Sequence, residues 1–262
     1  RFLYLMQNKL YDLAQKKLTG YDGILLKELQ LAMKNIKQKQ VLIEWQNLNN
    51  FLHLENDLNE KLFINSLQDI HFIGGDLWMA KWKIEEFISK YALSNFYKEN
   101  KKRIDALNNY ILKLSKKSRK PDMIVSADGT PGTVSLESAL QDIDENGIIQ
   151  LLPGEYSDNI IINKKITILG CSGVVFTGNL SLDEDRTQVQ HIFFREGYLE
   201  LDRTVKDVKL SWLNFSKSGI ILRGENDNVD ISNSIIRGLI VGECKQIKIA
   251  DSVILDSPVP DA

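Results

Sequence analysis

Cysteine is nearly missing from this chain of 262 residues: Cys171 and Cys244 are the only two, too few for a disulfide framework. The low count fits a reducing compartment. With no secretory signal in view, it leads to the expectation of a soluble, cytoplasmic protein. Three histidines, His53, His71 and His191, are scattered, and no Cys-x-x-Cys occurs, so no zinc-ligand spacing exists. No cofactor is expected. No apolar run reaches the roughly 18 residues of a membrane span, so no transmembrane segment is expected in this sequence. Proline is sparse, and only Pro121 precedes residue 131, which suits a helix bundle or helical hairpins in the first half.

What is present is ordinary globular material, 43% hydrophobic and 26% charged. The net charge of −2 hides an asymmetry. Residues 1–120 carry 21 Lys and Arg against 13 Asp and Glu, whereas 121–262 carry 12 against 22. Such a contrast supports a two-part chain. The basic blocks KKR (101–103) and KLSKKSRK (113–120) form too small a footprint for a dedicated nucleic-acid surface. They read as a solvated helix end, so nucleic acid is not an expected partner.

Up to about residue 117 the apolar period is helical. Leu3, Met6, Leu10, Leu13 and Ala14 recur at three and four. Leu25, Leu29, Ala32, Met33 and Ile36 do the same after a break at 19–23, where Asp22 suits an N-cap. A separate helix is expected over 41–54, and further apolar faces follow at 78–91 and 104–114. Trp45, Trp78 and Trp82 at helical spacing read as packing residues rather than a stacking platform. The helical signal ends at 118–122, where Pro121 bars continuation. Residues 135–143 then form a short amphipathic helix with Ser135 as its cap.

Beyond residue 147 the pattern changes to short strands, twelve of them in about 110 residues with no crossover helix, which excludes a doubly wound sheet. Three units lie over one another: VKLSWLNFSKSGIIL (208–222), VDISNSIIRGLIV (229–241) and IKIADSVILDSPV (247–259). Leu210, Ile231 and Ile249 share one column; Phe215, Ile236 and Ile254 share another. A fixed period of this size, with no Asn-Gly hairpin in the repeats, predicts stacked rungs of a β-solenoid. The expected fold is α+β by domains: an α-helical module, 1–118, then a right-handed parallel β-helix, 122–262, capped near 135–143. The first residue is Arg, and the chain stops just after a strand pattern, so further coils are expected beyond residue 262.

The stretch DGTPGTVSLESALQDIDENGIIQLLPGEYSDNIIINKKITILG (128–170) resembles the opening of pectin lyase-like right-handed parallel β-helix proteins. These begin with Asp-Gly, a small cap helix containing alanine, an apolar strand, Pro-Gly-x-Tyr, and two rungs ending in Gly. Asp128, Gly129, Ala139, Pro153, Gly154, Tyr156 and Gly170 carry the resemblance, which extends over about 123–257. It implies the fold and leaves the activity open, because that superfamily hosts lyases, hydrolases, esterases and non-catalytic binding modules. The esterase motifs with paired Asp, Arg and Gln do not occur here, nor does the Asp cluster with neighbouring Arg of pectate lyases. The pairing of helices with a β-helix is also similar, in architecture, to Shc-binding and Nessun Dorma-like scaffold proteins.

Several residues are candidates for chemistry. Rungs stack about 4.8 Å apart, so Lys209, Asp230 and Lys248 form an alternating charge ladder. Asp230, Asp251, Asp256 and Arg237 are the candidate catalytic set, since paired carboxylates in different environments divide acid and base roles. Asp183, Glu184 and Asp185 are a candidate Ca²⁺ turn, without the alternating spacing of a dedicated loop. Trp212 shares its column with Asn233 and Asp251, so it is expected to face outward as a ligand-binding residue, with Asn233 beside it. The favoured function is non-catalytic recognition of a glycan or protein partner by a solenoid wall. The alternative is a polysaccharide-active lyase, hydrolase or esterase whose catalytic coils lie partly beyond residue 262.

Overall fold

The computed structural model describes residues 24–255 apart from 57, 131, 202, 203 and 243. The helix expected over 3–14 and its neighbour's cap Asp22 lie outside the described residues. Two compact units are present, one of 24–70 with Trp82–Tyr110, the other of His71–Lys81 with 111–255. In chain order the helices are α1 (Ile24–Phe51), α2 (Glu60–Ser66), a 3-10 turn (Leu67–Asp69), α3 (Asp76–Tyr91), α4 (Asn95–Glu99) and α5 (Lys101–Ser115).

Helix α1 is continuous where two helices were expected. Nothing in Lys37-Gln38-Lys39-Gln40 breaks a helix, because all four are good helix formers. One buried stripe, Met33, Val41, Trp45 and Leu48, carries through it. Asn59 starts α2 by accepting from the Leu62 amide at 3.0 Å, and Ser94 starts α4 by accepting from the Tyr97 amide at 3.0 Å. Trp45 is the centre of this unit's core, with ring centroids 5.9 Å from Phe63, 5.5 Å from Phe87 and 6.2 Å from Phe96. The packing role expected of the tryptophans therefore holds for Trp45, while Trp82 is exposed.

In the second unit β1 (Met123–Val125) and the cap helix α6 (Leu136–Asp142) precede a parallel β-solenoid of about five turns. The first wall stacks β1, β2 (Ile148–Leu151), β5 (Thr167–Leu169), β8 (Gln188–Phe194), β10 (Lys209–Phe215), β12 (Val229–Ser232) and β15 (Ile247–Ala250) in that order. The second wall stacks β3 (Gly154–Tyr156), β6 (Val174–Phe176), the far halves of β8 and β10, β13 (Ile235–Ile236) and β16 (Val253–Ile254). The third stacks β4 (Ile160–Ile162), β7 (Leu180–Leu182), β9 (Leu199–Leu201), β11 (Ile220–Leu222) and β14 (Leu239–Val241). Strand alternation turns every second side chain inward, which is why Val189, Leu210 and Ile231 are buried in file.

An aromatic stack runs through the interior along the second wall. Tyr156 and Phe176 stack at 5.3 Å, Phe176 and Phe194 lie 5.6 Å apart, and Phe194 and Phe215 stack at 4.6 Å. The Tyr156 hydroxyl donates to the Leu152 carbonyl at 2.9 Å, so the polar end of the stack is satisfied inside the first turn. Cap helix α6 buries Leu136 and Ala139, and its Ser135 accepts from the Ser138 amide at 3.2 Å.

Two outcomes follow from these cores. Phe194 is fully buried, so Phe194→Ala should cost about 3–5 kcal/mol by lost transfer and cavity formation, read by urea unfolding followed in the near-UV. In the helical unit, Glu44 accepts from Lys90 Nζ at 2.7 Å and from Gln40 at 2.8 Å. Burial pushes its carboxyl up, but these hydrogen bonds outweigh that and hold it below the usual value. A carboxyl with a lowered folded value stabilises above its unfolded pKa, about 4.3. It loses that contribution as pH falls through the folded value. Glu44→Gln should therefore flatten the acid limb of the stability profile, by about 1 kcal/mol or less; an acid limb of unchanged slope would refute the assignment.

Candidate functional site

The first and second walls meet at a corner made of one residue per rung. Ser211 pairs with Gln190 and Leu213 with Ile192, so Trp212 sits over His191; Ser211 and Ser232, then Ser232 and Ala250, carry the file on to Asn233 and Asp251. His191, Trp212, Asn233 and Asp251 all have left-handed backbones, with φ of 58°, 57°, 52° and 51°. A single left-handed residue turns the chain sharply, and Asn, Asp and His adopt it more readily than other side chains. Trp212 is the exception, a bulky residue in a conformation it disfavours. Its side chain is 43% exposed. Among the described residues no ring or cation stacks on it.

Serines brace the corner from behind. Ser234 Oγ accepts from the Leu213 amide at 3.1 Å and donates to the Ser232 carbonyl at 2.8 Å. Ser252 repeats this one rung on, accepting from the Ser234 amide at 3.1 Å and donating to the Ala250 carbonyl at 2.8 Å. The backbone under Trp212 and Asn233 is thereby fixed by bonds that no outward side chain supplies. Around them the outward positions of the first wall are Gln190, Ser211 and Ser232, with the charged file Lys209, Asp230 and Lys248 two residues back along the strands, and those of the second wall are Asn214, Ile235 and Val253.

The file does not begin at Trp212. One and two rungs earlier it consists of His191 and Gly170, and there a strap from the chain's own residues 73–76 lies on it. The Gly75 amide donates to the Gly170 carbonyl at 2.7 Å, and Gln150 Nε2 donates to the Gly75 carbonyl at 3.0 Å. His191 Nδ1 is 3.2 Å from the Ile73 carbonyl. The Asp76 carboxylate accepts from the Ser172 amide at 2.8 Å and its hydroxyl at 3.2 Å, with His191 Nδ1 3.7 Å away. The strap thus spans three rungs: Gly75 reaches those of Gln150 and Gly170, Ile73 that of His191, and Asp76 comes back to Ser172 and His191. Gly74 permits it: its φ is +54°, and a Cβ there would fall 2.6 Å from the Gly170 carbonyl oxygen.

Of the candidate catalytic set, Asp230 lies on the outward side of the first wall, 3.8 Å from Lys248. Asp251 stands at the corner of the last described rung, and Arg237 is exposed just after β13. No hydrogen bond or ion pair joins these three among the described residues, and Asp256 lies outside them. The expected ladder of Lys209, Asp230 and Lys248 is in register. In the acidic turn, Asp185 accepts from the Lys206 amide at 2.7 Å. No group of three metal-binding side chains is assembled among the described residues. The strap, the serine braces and the role of His191 did not follow from the sequence patterns; Gly74-Gly75 and the serine repeated one position after the corner, Ser234 and Ser252, were the available signals.

No helix among the described residues is long and apolar enough to cross a membrane. Compared with protein-family models, curated proteins and solved structures, the chain matches none of them.

Gly74→Ala should weaken the strap by about 1–3 kcal/mol, the cost of a side chain at positive φ against a carbonyl. The check is amide exchange at Gly75, whose protection should fall while that of Leu210 stays.

Proposed function

We propose that the protein is a non-catalytic recognition protein or scaffold that binds a macromolecular partner along the corner carrying Trp212. One observation carries this reading. The corner favours Asn, Asp or His, and the other rungs of the file have His191, Asn233 and Asp251, yet this rung keeps an exposed indole at a strain of about 1 kcal/mol. Packing does not account for that choice, because the side chain points out of the core. An exposed aromatic on rigid, serine-braced backbone is what a recognition surface needs: a large, preorganised contact face.

The polar surroundings suit the same role. Gln190, Ser211, Ser232 and Asn233 offer donors and acceptors without net charge, complementary to a glycan or to a polypeptide backbone. The pectin lyase-like resemblance of 123–257 supports a glycan as one such partner. A polysaccharide-active enzyme built on Asp230, Asp251, Asp256 and Arg237 is less supported, since Asp230 is engaged by Lys248.

The substitution that separates recognition from folding is Trp212→Asn. It relieves the disfavoured backbone and removes the contact face. Folding stability should stay within about 1 kcal/mol of the parent, while binding to any ligand found on glycan and peptide arrays should fall about thirtyfold, as for an interface hot spot. Product release from an arrayed polysaccharide would refute the non-catalytic reading.

A further inference from the structure

We infer that the end of α5 is a docking face for an anionic membrane surface, made by Lys113, Lys116, Lys117 and Lys120. The inference is independent of the Trp212 corner.

Its starting point is a set of cations without partners. Between Asp105 and Asp122 the chain has five basic residues and no acidic one. Arg119 pairs with Asp122 at 3.2 Å. Lys113, Lys116, Lys117 and Lys120 are exposed, and none makes a hydrogen bond or ion pair among the described residues. Elsewhere on the helices the pattern differs: Lys90 pairs with Glu44, Lys101 with Asp105 and Lys102 with Glu60.

The backbone gathers these cations on one side. The Lys116 amide donates to the Leu112 carbonyl at 3.2 Å and the Lys117 amide to the Leu114 carbonyl at 3.0 Å, so helical winding continues past Ser115. Ile111 and Ser115 are buried in the unit that holds the solenoid. At about 100° per residue, Lys113, Lys116 and Lys117 fall on the face opposite those two.

Local structure does not account for the cluster. The helix dipole favours Lys113, which lies in the last turn, but that field fades within a turn. Lys116, Lys117 and Lys120 follow the last residue of α5. Lys113 and Lys117, four residues apart, repel one another. The packing is done by the other face, so the fold gains nothing from the crowding. A local cost of that kind is a mark of function.

The chemistry of the cluster selects lipid among anionic partners. Residues 113–120 would span about 12 Å as helix, shorter than the basic track that nucleic acid requires. No aromatic residue lies between 111 and 122 to stack on a base. The free cations are all lysines, mobile point charges suited to mobile headgroups, whereas arginine forks suit fixed phosphates. Clusters of about four to eight cations are drawn to anionic leaflets. The acidic excess over 121–262 is repelled by the same surface, so the lysine face leads the approach.

The test is cosedimentation of the full chain with vesicles of phosphatidylcholine alone or with about 30% phosphatidylserine. Two double variants carry the same change of charge: Lys116→Gln with Lys117→Gln, and Lys101→Gln with Lys102→Gln. All four side chains are exposed, and circular dichroism should be unchanged. The parent should bind only the phosphatidylserine vesicles, about tenfold less at high salt. The 116/117 variant should bind them about twentyfold more weakly, at about fivefold per cation, and the 101/102 variant as the parent does. Equal losses in the two variants would reduce the effect to net charge and overturn the inference. So would tighter binding to duplex DNA or to polyglutamate than to the vesicles at equal salt, and so would absence of binding to the phosphatidylserine vesicles.

Discussion

Each inner rung of this solenoid satisfies its backbone through the rungs on either side, and that register admits no slip. Strand side chains alternate between faces, so a displacement of one residue would turn an entire interior column out to solvent. The chain accommodates this constraint by placing its length variation in turns. From the rung of β10 to that of β12 the repeat is 21 residues, and from there to β15 it is 18. The eight-residue stretch through both walls, 208–215, 229–236 and 247–254, is unchanged. Four residues between β10 and β11 become two between β13 and β14, and six between β11 and β12 become five between β14 and β15. The aromatic stack is the interior counterpart: Tyr156, Phe176, Phe194 and Phe215 can overlie one another only while the register holds.

A constant stretch around the corner has a consequence on the outside. From His191 to Asp251 the left-handed residue falls at the same place in each rung, so its side chains form a straight file on the surface. Their identity is free of core packing, since Ser234 and Ser252 supply the bonds that hold the bend. What remains is the local backbone cost, low for Asn and Asp and high for Trp. The corner is therefore a place where an unfavourable local choice is visible without a compensating gain in the fold, which is where function is expected to show.

Much of this was legible in the sequence, and the limits have physical causes. Strands β4, β7 and β14 stand where their β-branched or leucine runs placed them, and the columns of the last three rungs could be aligned because those rungs share one eight-residue unit. Strand β3 was missed because Gly154-Glu155-Tyr156 has no strand pattern and pairs only through its neighbour β6. The expected strand over 229–236 divides at Asn233, where the backbone turns left-handed. The outward position of Trp212 followed from its column, whereas the strap did not, because Gly74-Gly75 reads as any turn. Nothing local announces that Asp76 will accept from Ser172, ninety-six residues away.

That long-range contact bears on how the solenoid is built. Residues 71–81 pack with the solenoid although the chain on both sides of them packs in the helical unit. The solenoid surface is thus completed by a stretch that precedes its first strand. A piece beginning at residue 122 would retain every rung, but Gly170 and His191 would lose the Gly75 amide and the Ile73 carbonyl, and Ser172 would lose Asp76. The file of corner residues would then be open from Gly170 onward. With the strap in place it is open only from Trp212. The strap therefore sets where the free surface starts, and the residue standing at that start is the one whose side chain the corner would least favour on local grounds.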